Sequence, residues 1–365
     1  MKKIIILMTG LLFALNVMAK VGVFPKEDFD KLSYGLYWFG SNNQYEKAGD
    51  TTKDGSSYYD PSKPTLILIH GWQPFRMNSY DRFVFHESGE GSTYPDIDLA
   101  NLWISQGYNI GVFYWDQFAD EANVDSAEAK IWTATGKHNM RWKDGNGDYH
   151  DGPDKNVTEL LLSEYLASMA GYQGKGSDIR IAGHSLGNQL ALRLTEELAK
   201  LSDQGEIAQN LVPQRVSLLD AFYSNFGKSY LNSKWVGEVA RDIVKDLKKR
   251  GVAIDSYRTS TVVSTIFAGD ENPKLHNSVA FVEQKTKFFN QTQVAAKHSA
   301  AIWLYLWSII YPTPSVTDNT LPGLSATSTN AEVKQWMATT DHLIQIEGGT
   351  TKEPQDNVYK TTSAL

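Results

Sequence analysis

Cysteine is absent from all 365 positions. That excludes a disulfide framework, a thiolate metal site and the cysteine-linked lipid of a lipoprotein. Long apolar runs are scarce as well. The N-terminal run from Ile4 to Leu15 falls well short of the ~20 residues that cross a bilayer. Basic charge is in deficit, with 35 Lys and Arg against 42 Asp and Glu and a formal charge of −7. An acidic surface without basic clusters argues against nucleic acid or an anionic membrane as an electrostatic partner. One basic group, Lys245, Lys248, Lys249 and Arg250, closes an amphipathic helical pattern and reads as its solvated end. There is no internal repeat, and no His-Glu-x-x-His pair of the catalytic zinc type.

What is there begins with Met1-Lys2-Lys3, the apolar run, and Asn16-Val17-Met18-Ala19. A positive start, a short apolar centre and a small-residue exit describe a signal peptide over residues 1–19, so the expected location is secreted or periplasmic. A secreted chain without disulfides must be held by its core, and a chain of this length can bury one. Residues 20–311 then read as one domain and 312–365 as a C-terminal extension packed on it or trailing from it. From Tyr311 onward Pro312, Pro314, Pro322 and many Thr, Ser and Asn predict loose structure, with one helical piece around Ala331 to Ala338.

Within the domain, short apolar runs alternate with helical periodicity. Leu32 to Gly40, Thr65 to Ile69, Tyr108 to Trp115, Ile179 to Ala182, Arg215 to Leu219, Ala253 to Val263 and Val279 to Val282 read as strands. Ile97 to Gln106, stretches of 117–143, Val157 to Tyr172, the run after Gly187, Trp235 to Arg250 and Ser299 to Ile310 read as helices. Strand and helix in alternation predict an α/β class with a mostly parallel sheet covered by helices on both faces.

One strand-to-helix junction carries chemistry. Gly183-His184-Ser185-Leu186-Gly187 stands between an apolar strand and a helix-forming run. A serine hydroxyl becomes a useful nucleophile only when a sharp turn lifts it out of the backbone toward a base, and the strained turn leaves no room for β-carbons at 183 and 187. The base needs an orienting carboxylate, and in this architecture the order along the chain is Ser, acid, His. Asp220 ends the very next strand and is the candidate acid. Asp255 lies inside a strand, and Asp116 precedes the serine. Three histidines follow Ser185: His276, His298 and His342. His298, at the start of the last apolar helix, is the preferred base, with His276 expected in a surface loop and His342 in the tail. For a developing oxyanion, the N–H of Leu186 is one donor, and the N–H of Trp72, in the strand exit His70-Gly71-Trp72, is the second candidate. His70 and His184 read as structural.

Those residues together resemble the α/β-hydrolase fold. Leu68-Ile69-His70-Gly71-Trp72, the Gly-His-Ser-Leu-Gly elbow, and Asp220 at the end of Ser217-Leu218-Leu219 are similar to the pancreatic and lipoprotein lipase family, as is Trp115-Asp116. The likeness spans roughly residues 32–310. It implies Ser185 as nucleophile, Asp220 as acid, His298 as base, and Trp72 and Leu186 as the oxyanion hole. It also implies carboxylic ester hydrolysis through an acyl-enzyme, with acyl lipids as substrates and contact with a lipid interface. The departures are specific. The family's cysteines are missing, so no disulfide bounds a lid. Ala221 stands where the family has proline after the acid. The C-terminal extension is too short for the family's β-sandwich domain, so triglyceride specificity does not carry over.

The segments 73–96 and Thr265 to Lys297 are candidate lids, and Phe267, Leu275, Phe281, Phe288 and Phe289 are candidates for an acyl pocket or the core. No cofactor is called for. A half-match to a calcium loop, Asp144-Gly145-Asn146-Gly147-Asp148, offers Asp144, Asn146 and Asp148 but lacks the usual sixth-position glycine and twelfth-position glutamate. Acyl transfer or amide cleavage on the same triad, and a catalytically dead binding protein, are the rival readings. Oligomeric state is not legible.

Overall fold

A computed structural model describes residues 24–49, 57–87, 92–174, 179–262 and 269–363. The expected signal peptide, Phe267, and parts of both candidate lids lie outside them. In chain order the elements are β1 (Gly35–Phe39), β2 (Tyr45–Lys47), β3 (Thr65–Ile69), α1 (Leu99–Ser105), β4 (Asn109–Tyr114), α2 (Asp116–Ala119) and α3 (Val124–Trp132). There follow β5 (Trp142–Lys143), β6 (Tyr149–His150), α4 (Val157–Ser168), β7 (Ile179–His184), α5 (Gly187–Asp203), β8 (Arg215–Leu219), α6 (Val236–Lys249) and β9 (Ala253–Arg258). The chain closes with α7 (Pro273–His276), β10 (Ala280–Glu283), α8 (Val294–Trp307), β11 (Ser315–Val316), α9 (Asn330–Ala338), β12 (His342–Glu347) and β13 (Val358–Thr362).

β3, β4, β7 and β8 are buried at every position, because helices cover both faces and leave no side of the strand for water. They sit in an 11-stranded sheet ordered β2-β1-β4-β3-β7-β8-β9-β10-β12-β13-β11. The run from β4 to β12 in that order is parallel. β1 is antiparallel to both its neighbours, and β13 is antiparallel to β12. Helix α5 packs with α4 and α6, while α1 packs with α8, and α5 and α8 both touch β7 and β8. Trp103 of α1 donates its indole N–H to the Leu306 carbonyl of α8 at 3.0 Å, which ties the two helices together. This parallel sheet with antiparallel members at its ends, helices against it, and a serine at the sharp β7–α5 turn is the α/β-hydrolase fold.

The 311/312 boundary is not a break in the structure. β12 pairs in parallel with β10, β13 and β11 extend the sheet, and α9 packs on β9 and β10. The loose structure expected after Tyr311 is therefore corrected: only part of the tail is loop. Two buried arginines attach it. Arg180 of β7 donates to the Ala326 carbonyl at 2.6 Å, and Arg215 of β8 donates to the carbonyls of Ser328 (2.5 Å) and Ser325 (2.9 Å). A guanidinium has five donors and no acceptor, so a loop of bare carbonyls is a natural partner for it. The remaining side of Arg215 pairs with Asp255, which also takes hydrogen bonds from Ser217 and Tyr257. That fixes Asp255 as a structural carboxylate.

Candidate active site

β7 carries the chain straight into the turn, and Ser185 sits there with φ at +54°. A non-glycine residue in that region costs about 1–3 kcal/mol, and it persists only where the surroundings enforce it. Here close packing does so. A β-carbon on Gly187 would lie 2.2 Å from the Ile69 carbonyl oxygen, and one on Gly183 would lie 2.5 Å from that of Gly187. The Asn188 side chain binds the turn to the end of β8. Its amide donates to the carbonyls of Ser185 (2.9 Å) and Leu219 (3.2 Å), and its oxygen accepts the Leu219 N–H at 3.1 Å. Leu219 in turn accepts the Ser185 N–H at 3.1 Å. The serine turn and the strand end that precedes Asp220 are thus one stitched unit.

Asp220 follows β8, also with positive φ, at +44°. Its Oδ1 accepts the N–H groups of Thr259 (2.9 Å) and Ser260 (3.2 Å) just past β9, and its Oδ2 accepts the Ser260 hydroxyl. The same Oδ2 lies 2.6 Å from Nδ1 of His298. Burial pushes this carboxyl up, but the His298, Ser260 and Thr259 donors outweigh it and hold it below the ordinary carboxylate value. The His298 side chain is 15 % exposed against 1 % for Asp220, so the imidazole is partly open to solvent while the acid is sealed.

His298 lies inside α8, one turn past its start, because the helix begins at Val294 and not at Ser299 as expected. Two contacts hold that turn. The Thr259 hydroxyl donates to the Lys297 carbonyl at 2.7 Å, and His184 Nε2 lies 3.1 Å from the His298 carbonyl. The rings of His184 and His298 sit 4.4 Å apart. Burial, then the nearby His298, lowers the His184 pKa to about 3, so this imidazole is neutral and donates through Nε2–H.

The exit of β3 presses on the serine. A β-carbon on Gly71 would lie 2.6 Å from Cβ of Ser185 and 3.2 Å from its Oγ. The next residue, Trp72, is held by its indole N–H on the Glu121 carbonyl at 2.7 Å. Leu186, fully buried, immediately precedes α5, where the first backbone N–H groups of a helix have no intrahelical partner. His70 is structural in geometry. Its Nδ1 meets the Gly71 carbonyl at 2.9 Å, its Nε2 accepts the Trp115 N–H at 3.2 Å, and burial lowers its pKa to about 4.

The alternatives sit elsewhere. His276 is buried in α7 with Nδ1 at 3.2 Å from the Ser256 hydroxyl, and not on the surface as expected. His342 lies buried on β12, its ring 4.9 Å from that of Phe281. Asp116 pairs with Arg82 at 2.7 Å. Of the candidate acyl-pocket residues, Leu275, Phe281 and Phe289 are buried, and half-buried Phe288 packs on Phe289 and Trp303. In the Asp144 loop, the β5–β6 hairpin turns on Asp144, whose carboxylate accepts the N–H groups of Asn146 and Asp148 at 2.9 Å each and contacts His150 at 2.8 Å. Among the described residues no group of three or more His, Cys, Asp or Glu is arranged to hold a metal ion. No described helix is long and apolar enough to cross a membrane.

No protein-family model matches the chain, and no curated protein matches it. Solved structures do resemble it, remotely. Est1E from Butyrivibrio proteoclasticus, solved with ferulic acid, is 12% identical over 70% of this chain and 88% of its own, with a TM-score of 0.31. The Paleococcus ferrophilus monoacylglycerol lipase is 12% identical over 66% of this chain and 95% of its own, also at 0.31. Poly(aspartic acid) hydrolase-1 from Sphingomonas sp. KT-1 is 12% identical over 63% and 72%, at 0.30. Likeness at that distance transfers no substrate and no residue role.

Proposed function

We propose that the protein is a secreted serine hydrolase that cleaves carboxylic esters, acyl lipids first among them, through an acyl-enzyme. The observation that carries this reading is the strained Ser185 turn bound to the end of β8, where Asp220 meets His298 of α8 at 2.6 Å. Asp220 accepts the Nδ1–H of His298 and so leaves Nε2 as the free acceptor. His298 then takes the Ser185 hydroxyl proton as Oγ attacks the ester carbonyl, and returns it to the leaving alkoxide. The N–H groups of Leu186 and Trp72 receive the negative charge on the former carbonyl oxygen. Water, deprotonated by the same imidazole, attacks the acyl-enzyme and releases the acid.

An ester series from acetyl to long-chain acyl, with a phospholipid included, tests the reaction class and ranks the substrates. Turnover of none of them by the purified mature chain would end the proposal. Secretion is checked separately, since an N-terminus at Lys20 on exported protein is expected.

A further inference from the structure

Among the described residues aromatic side chains are mostly buried, and Phe75 and Phe226 stand out as the most exposed. Phe75 is 64% exposed and Phe226 is 82% exposed. Both have left-handed backbone, with φ of +63° and +71°, which costs a bulky residue energy that a glycine or asparagine would avoid. Neither loop is slack. The N–H groups of Phe75, Arg76 and Met77 converge on the buried Asp120 carboxylate at 2.8, 3.0 and 3.0 Å. The Phe226 loop is anchored two residues earlier, where Ser224 gives its N–H (3.1 Å) and its hydroxyl to the buried Glu128, and the Ser224 carbonyl accepts the Trp235 indole at 2.7 Å. Each ring is held out in water by a fixed base.

Their position relative to Ser185 is symmetric. Gly71 touches Ser185 from the β3 exit, and Phe75 is four residues further on. The Phe222 N–H donates to the Ser185 carbonyl at 3.3 Å from the β8 exit, and Phe226 is again four residues further on. Four residues of extended chain span at most about 14 Å, so the Cα of each phenylalanine stands within that reach of the residue that meets Ser185, on the two strand exits that flank β7. The Phe75 side is broadened by Tyr149, 39% exposed, with the Lys143 ammonium 5.8 Å from the Phe75 ring and 4.9 Å from the Tyr149 ring. That ammonium is neutralised by Asp120 at 2.7 Å, and Lys228, beside the other loop, is paired with Asp125 and Glu128. Arg141, 3.7 Å from the Tyr149 ring, is paired with Glu121, so each cation named beside the two rings already has a carboxylate partner and is not left to attract an anionic group.

The geometry points to Phe75 and Phe226 as two rigid apolar posts that bind the hydrocarbon arm of the ester on its way to Ser185. The substrate class this assigns is an uncharged ester whose acyl chain is long enough to reach the rim, medium-chain or longer. It rests on the ester-hydrolase reading above. The shared chemistry, a hydrocarbon chain, could be met on a dissolved monomer or at a lipid surface, and the experiment separates the two.

The measurement is kcat/KM on dissolved monomeric acetyl and octanoyl esters of one alcohol, for wild type, Phe75→Ala, Phe226→Ala, the double alanine variant and the double leucine variant. Flotation with phosphatidylcholine vesicles runs alongside. The octanoyl-to-acetyl ratio is expected to fall about tenfold in the double alanine variant, chiefly through KM, with most of it recovered by leucine. A ratio indifferent to both alanines overturns the proposal. So does a loss of vesicle flotation with that ratio intact, which would make the rings a surface anchor instead. An inactive wild type removes the reading underneath, and that result is distinct from an active enzyme whose ratio ignores the substitutions.

Discussion

The Nε2 of His184 lies 3.1 Å from the backbone carbonyl of His298, so the residue just before the serine holds the residue assigned to take its proton. His184 touches no substrate in this arrangement and acts by position. A His184→Ala variant should lose about 10- to 100-fold in kcat with KM little changed, because misplacement of a catalytic group is felt in the transition state. His184→Gln, which can place a donor near the same point, should recover part of it. An unchanged kcat, or a loss confined to KM, would show that the contact is only packing.

The Asp220 carboxylate accepts from His298, Ser260 and Thr259 at once, which no amide can reproduce. Asp220→Asn should therefore present the wrong imidazole tautomer to the serine. Steady-state kinetics should show kcat down by about 10³ to 10⁴, with ester binding kept. A drop of less than tenfold would move the acid to another residue.

Gly71 is the position where space, not charge, sets the limit. Its missing β-carbon would sit inside contact distance of Ser185 Cβ. Gly71→Ala should cost about 100-fold in kcat/KM by shifting the Trp72 N–H away from the oxyanion. Thermal unfolding alongside the kinetics checks the assignment, because a loss of activity that simply tracks a lost fold would contradict it.

Buried histidines make the protein acid-sensitive, His342 among them and three others more strongly. Burial lowers His70 to about 4 and His184 and His276 to about 3, against an ordinary 6.5. In the window from 6.5 down to about 4 the unfolded chain binds protons that the native state refuses, so stability falls as pH falls. The slope should approach about 4 kcal/mol per pH unit where all three are protonated only in the unfolded chain. Asp220 works differently: its depressed carboxyl contributes stability above the ordinary value of 3.8 that is lost only below it, outside most of this window. Urea titrations between pH 7 and 4 measure the slope. His276→Gln, which removes a histidine the proposed triad does not use, should flatten it, whereas a flat wild-type profile would refute the burial argument.

Local pattern carried a large share of what the sequence revealed. Short, mostly apolar runs located β3, β4, β7 and β8, because in strands buried on both faces a polar residue such as Arg180, Arg215 or Ser217 is the exception. Ser185, the glycines beside it and Asp220 were readable because their constraints are packed into a few consecutive residues. What was hidden depends on distant partners. Asn188 reads as an ordinary early-helix residue until its contacts with Leu219 appear, and Ser260 as a residue of the strand expected over Ala253 to Val263 until it meets Asp220, 40 positions away. The tail misled for a related reason. β12 and β13 lie toward the sheet's end, only partly buried, so polar residues interrupt them, and the buried Arg180 and Arg215 that fasten the tail gave no sign of their carbonyl partners. The start of α8 was expected at Ser299 because Val294-Ala295-Ala296-Lys297 is a mild sequence whose helix is visible only from its hydrogen bonding.

The central claim is that Ser185 is the nucleophile. Treating the mature chain with a fluorophosphonate and mapping the adduct by peptide mass spectrometry tests it directly. The account predicts one adduct, on the peptide containing Ser185, and none in a Ser185→Ala variant. An adduct on another residue, or undiminished labelling of that variant, would contradict it.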